Sequence, residues 1–138
     1  MVRRVRVLYI AGWGRSGTTI LGNVLGQIDG VTAVGELQHL WERNLEGRYR
    51  CGCGKDVAEC TFWSEVVHLG WGAPGPPVRQ MIEWQRRLRT RHLPLLALPG
   101  AAERSANELE PYLAQLNVLY RSIAEVDGAE IVVDSSKA

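Results

Sequence analysis

The stretch from Val7 to Gly22 constrains this chain most. An apolar run, Val7-Leu8-Tyr9-Ile10-Ala11, enters a turn holding Gly12, Gly14 and Gly17, and the turn enters an amphipathic segment at Thr18. Strand, glycine loop and helix, in that order, make a phosphate-binding loop. The glycines allow tight backbone turns and close approach of a ligand. The amides of residues 14–19 then point into one concavity at a helix N-terminus, which favours an anion. The nucleotide-hydrolase loop, G-x-x-x-x-G-K-[ST], has a lysine where this chain has Thr18. Here the cation is Arg15, inside the loop.

The rest of the pattern is βα with a long helical excursion. Residues 4–11 read as a first strand, with Val5, Val7, Tyr9 and Ile10 partly buried. Thr18 to Ile28 reads as a helix with Ile20, Leu21, Val24, Leu25 and Ile28 on one face, stopped by Asp29-Gly30. Val31–Val34 is a second strand. Glu36 then lies just past its carboxyl end, where open α/β sheets place ligands. Leu37–Leu45 reads as a short helix, Gly47 to Cys60 as a loop, and Phe62–Leu69 as one or two helical turns. Gly70 to Pro77 is a break. Val78–His92 reads as a helix, and Pro94 and Pro99-Gly100 break the chain again. Ala102–Val126 has the longest helical pattern, through Leu109, Leu113, Leu116, Leu119, Tyr120, Ile123 and Val126. Pro111 kinks that helix or marks its true start. Ile131–Val133 is a third strand. A doubly wound parallel sheet with a helical insertion fits this order best.

Composition sets limits. A chain of 138 residues makes one domain. Its net charge of +1 gives no global field to draw nucleic acid or membrane. The basic start, Met1 to Arg6, leads into an apolar run too short for a secretory signal, and Gly14-Arg15 interrupts it. No stretch approaches the ~20 apolar residues of a membrane span. The expectation is a soluble, cytoplasmic protein with no nucleic-acid partner and no membrane span.

Arg15-Ser16-Gly17-Thr18-Thr19 after a strand resembles the 5′-phosphosulfate loop of sulfotransferases, which use 3′-phosphoadenosine 5′-phosphosulfate (PAPS) as sulfuryl donor. Gly35-Glu36, the strand ending in Asp134-Ser135-Ser136-Lys137, and Cys51-Gly52-Cys53-Gly54 with Cys60-Thr61-Phe62-Trp63 are similar to the bacterial members. The likeness to tyrosylprotein sulfotransferases is more distant. Four linked motifs in order span nearly the whole chain, which is more specific than one loop. The resemblance implies a P-loop-like α/β fold: a doubly wound parallel sheet with helices on both faces, and a loop and helical insertion at 47–128. It implies that Gly14, Arg15, Ser16, Gly17, Thr18, Thr19, Ser135 and Ser136 bind PAPS, and that Glu36, Arg15 and Lys137 are catalytic, with no metal. The acceptor is then a hydroxyl on a small molecule or glycan. The family holds the donor's 3′-phosphate with residues beyond this point. The chain therefore reads as the N-terminal part of a single sulfotransferase domain, C-terminally truncated and inactive alone.

The chemistry has a physical basis. Sulfuryl transfer, like phosphoryl transfer, depends on positioning and charge stabilisation. Negative charge grows on the bridging oxygen of the leaving nucleotide, so Arg15 and the amides of Gly17, Thr18 and Thr19 are placed to help. Glu36 is the candidate base, improved if partial burial raises its pKa. A first-turn Glu that stabilises the next helix is the plainer reading. His39 is an alternative base on the same side of that helix. Lys137 is a candidate contact to the sulfonate, or a solvated strand-end lysine. Asp134 orients Lys137 or Arg15, or caps the next helix.

Other features have ordinary readings. Cys51, Cys53 and Cys60 lack the paired C-x₂-C spacing and the fourth ligand of zinc sites, His68 not being at a diagnostic spacing. Reduced structural cysteines, or one labile pair, are expected instead. Arg79, Arg86, Arg87, Arg89 and Arg91 form a solvated helix face, or help hold an anionic acceptor. Trp41, Trp63, Trp71 and Trp84 divide between core and an acceptor cleft. Two rivals stand: a P-loop kinase or other NTP-binding protein, with Asp134 as its Mg²⁺ ligand, and a truncated, non-catalytic anion-binding fragment.

Overall fold

The structure is a computed structural model that describes residues 4–44, 50–87 and 101–137, with side chains from 107 onward in the last segment. Its strands are β1 (Arg6–Tyr9), β2 (Val31–Ala33) and β3 (Ile131–Asp134). Its helices are α1 (Thr18–Leu25), α2 (Thr61–Trp71), α3 (Val78–Arg87) and α4 (Ala101–Asp127). A wide turn at Leu40–Asn44 and a tight 3₁₀ turn at Val57–Glu59 complete the described elements.

The three strands form one parallel sheet in the order β1-β3-β2. Val132 of the central strand pairs with Val7 on one side and Thr32 on the other. The ladder continues past the strand ends: Ile10 N–H donates to the Asp134 carbonyl at 2.8 Å, and Ser135 N–H to the Gly35 carbonyl at 2.9 Å. Because every strand points the same way, the glycine loop, Glu36 and Ser135–Lys137 all leave the sheet at one edge. Ligands of open α/β sheets bind at such an edge.

The core lies between β3 and the helices. Trp41, Val66, Met81, Leu119, Ile123 and Val132 are fully buried. Along α4, Tyr112, Leu119 and Ile123 are buried and Leu116 is half-buried, a stripe that returns to one side every three or four residues. Leu113, expected on that face, is 50% exposed, and the helix runs continuously through Pro111. Helix α2 is longer than expected because Gly70 lets it approach α4. A Cβ on Gly70 would lie 2.8 Å from Ser122 Oγ and 3.1 Å from Val118 Cγ1. Trp71 seals this contact, donating from Nε1 to Gln115 Oε1 at 2.7 Å and meeting the Trp41 ring edge-on.

Other expectations shift. The loop at 50–60 contains the 3₁₀ turn. Helix α1 ends at Leu25, and Ile20, Val24 and Ile28 are exposed. In β1, an outer strand of the sheet, Val7 and Tyr9 are exposed as well. Leu45, Arg89, Arg91, His92, Pro94, Pro99 and Gly100 lie outside the described residues. Among the described residues, no helix is long and apolar enough to cross a membrane.

Candidate functional site

The glycine loop folds on itself. Ser16 donates to the Trp13 carbonyl twice, from its amide at 3.2 Å and from Oγ at 2.6 Å. Arg15 and Gly17 both take positive φ, 63° and 81°. A Cβ on Gly12 would fall 2.3 Å from Thr18 Cγ2, so only glycine lets the loop close over the buried Thr18. No side chain caps α1. Among the described residues, nothing accepts from the amides of Gly17, Thr18 and Thr19. The start of α1 thus presents unpaired donors and the positive end of the helix dipole. Gly14, Arg15, Ser16 and Gly17 are exposed, and the Arg15 guanidinium has no partner among the described residues.

The ends of β2 and β3 meet in an ion-pair cluster. Lys137 Nζ donates to Glu36 Oε1. His39 Nε2 lies 3.1 Å from Glu36 Oε2, and Gln38 Nε2 lies 3.4 Å from the same oxygen. The spacing of Glu36 and His39 did place them together. The direction of the Glu36 pKa is a correction. The Lys137 hydrogen bond holds it below the ordinary carboxylate value, and burial, which acts the other way, does not win.

Asp134 is buried, and among the described residues its carboxylate bonds neither Arg15 nor Lys137; of the expected roles, only that of accepting from a following amide is met. Its Oδ2 accepts from the Tyr120 hydroxyl at 2.7 Å, and its Oδ1 from the Ser136 amide at 2.8 Å. Burial, with this carboxylate adding to it, pushes the Tyr120 phenol far above its usual range. Ser136 Oγ accepts from the Gln38 amide at 2.9 Å, tying the strand end to the segment after Glu36. Tyr9 donates to the Ser136 carbonyl. Sequence reasoning missed Tyr9, Tyr112 and Tyr120 as site residues, since strand or helix periodicity explains each one equally well.

Two cavities adjoin this cluster. The larger, about 410 Å³, is lined by Tyr9, His39, Trp41, Arg86, Tyr120 and Lys137, among others. The smaller, about 200 Å³, is lined by Thr19, Gly22, Asn23, Gly35, Glu36 and Ser135, with Ala33 and Val133. Lys137 faces one cavity and Glu36 the other, so their ion pair joins the two. Of the expected site residues, Thr19, Glu36, Ser135, Ser136 and Lys137 are drawn together. Gly14, Arg15, Ser16, Gly17 and Thr18 line neither cavity. Trp41 faces the larger cavity with its Nε1 buried and unpartnered among the described residues. Trp63 is core, and Trp84 packs edge-on against Tyr112. Arg86 bonds Glu42 at 3.4 Å.

No family model, no curated protein and no solved structure matches this chain. The fold and site define a mixed α/β protein with a small parallel sheet and a polar cluster at its carboxyl edge.

Proposed function

We propose that this chain carries the donor loop and the proton-handling groups of a PAPS-dependent sulfotransferase, on the nucleus of a P-loop-like doubly wound fold. One observation carries the reading. A glycine loop with unbonded amides, a carboxylate and an ammonium leave the same edge of a parallel sheet.

PAPS supplies a sulfuryl group whose S–O bond to phosphate breaks as the acceptor oxygen bonds to sulfur. In this reading Arg15 and the amides of Gly17, Thr18 and Thr19 hold the 5′-phosphosulfate, on a loop shaped by Gly14 and Ser16. The hydroxyls of Thr19 and Ser135 hold the sulfonate in the smaller cavity, and Ser136 supports Ser135 from the next position. Glu36 takes the proton of the attacking hydroxyl. Arg15 and Lys137 offset the charge left on the phosphate oxygen. Lys137 is tied to Glu36 in the free chain. Turning Lys137 toward the sulfonate would raise the basicity of Glu36 when the proton must move. The larger cavity, with Trp41, Tyr112 and Arg86 on its walls, suits a hydroxyl-bearing small molecule or a glycan unit.

A kinase reading has one observation in its favour: Asp134 ends the strand beside β1, as a Mg²⁺-binding Asp does. Both Asp134 oxygens are already taken by Tyr120 and Ser136, and Thr18 replaces the lysine, so this reading is the weaker. Calorimetric titration with PAPS, adenosine 3′,5′-bisphosphate and ATP–Mg²⁺ separates them. PAPS binding that is lost in Arg15→Ala supports the sulfotransferase. ATP–Mg²⁺ binding alone favours the kinase or NTP-binding reading. Binding of none of the three removes a donor site from this chain.

A further inference from the structure

The three cysteines are unevenly spaced along the chain but lie together in space. Their Sγ atoms all fall within 4.8 Å of one another. The local fold explains this. Cys51 N–H donates to the Lys55 carbonyl and Gly54 N–H to the Cys51 carbonyl, both at 2.8 Å, and Gly54 takes φ 86°. This tight turn, closed by an antiparallel bridge between Arg50 and Asp56, brings the sulfurs of Cys51 and Cys53 to one side. The turn at Val57–Glu59 then delivers Cys60, buried, at the start of α2.

We propose that Cys51, Cys53 and Cys60 bind one zinc ion, with water in the fourth position. Two arguments carry this. Cys51 and Cys60 sulfurs stand 3.5 Å apart. That is close to the edge of about 3.8 Å that a tetrahedron with Zn–S near 2.3 Å requires, and far above the ~2.05 Å of a disulfide. Next, all three sulfurs converge, whereas a disulfide uses two. The start of α2 adds the positive end of a helix dipole beside Cys60. Spacing alone points to metal-free thiols, but here two turns, not a C-x₂-C repeat, set the geometry. The ion would clamp the 50–56 turn to α2, which packs on α4.

The test is metal analysis of the chain purified with reductant and without chelator, followed by cobalt(II) substitution. The proposal expects one zinc per chain and the intense visible bands of tetrahedral, thiolate-bound cobalt. Cys53 is exposed, so Cys53→Ser removes a ligand without opening the core. This variant should keep its far-ultraviolet dichroism and bind zinc at least about tenfold more weakly. A metal-free protein that gains no cobalt bands, a Cys51–Cys60 disulfide found in mass spectra under reductant, or full zinc affinity in Cys53→Ser would each overturn the proposal.

Discussion

Lys137 and Glu36, separated by 101 positions, form one ion pair where β2 and β3 leave the sheet. Parallel pairing is the cause. Val133 lies opposite Ala33, so the residues after each strand emerge side by side. The pair lowers the Glu36 pKa. A carboxyl whose folded pKa is depressed stabilises the fold above its unfolded value, about 4.3 for Glu. That contribution is lost as pH falls through the folded value. Lys137→Met should move the Glu36 titration upward toward the ordinary value and remove this part of the acid dependence. Carboxyl-carbon NMR across the acid range reads both effects.

Glu36 also lines the smaller cavity. In the full-length enzyme, Glu36→Gln should abolish turnover while leaving PAPS affinity within a few-fold, because the amide keeps its shape but accepts no proton. A sulfuryl-transfer assay beside calorimetry tests this. Retained turnover would remove Glu36 from the base role.

Gly12→Ala should damage the loop. The new Cβ meets Thr18 Cγ2 at 2.3 Å and Ser16 Oγ at 2.7 Å. Overpacking of this kind costs about 1–3 kcal/mol. Thr18→Ser removes the methyl and should recover part of the loss in the double variant. Urea unfolding of the four proteins in the cycle measures the coupling.

Gly70→Ala should weaken the α2–α4 packing. Backbone cannot separate there without dislodging Ser122 and Val118. A loss of about 1–3 kcal/mol is expected. Pairing it with Ser122→Ala, which removes the nearest atom, should return some of that stability in the same urea measurement.

Tyr120→Phe deletes a donor to the buried Asp134 carboxylate. Leaving that oxygen short of a partner should cost about 1–3 kcal/mol. The larger cavity would lose one of its polar groups. Thermal unfolding and near-ultraviolet dichroism report the outcome. An unchanged Tm would show that solvent already satisfies Asp134.

Local patterns made much of this protein legible from its sequence alone. The strand, glycine loop and helix at the start follow from an apolar run, three glycines and helical spacing. Glu36 and Lys137 were marked by their places just past strands. The 3.6-residue rhythm found α4, although it misjudged Leu113, since a wide apolar stripe does not say which edge faces the core. Only the tertiary structure decided which groups meet. Strand order joins Glu36 to Lys137 and turns Asp134 toward Tyr120 instead of toward a cation. Two turns gather Cys51, Cys53 and Cys60 despite an unpromising spacing. Periodicity reports the environment of one segment, whereas a site depends on distances between segments, and those are set by sheet register and helix packing.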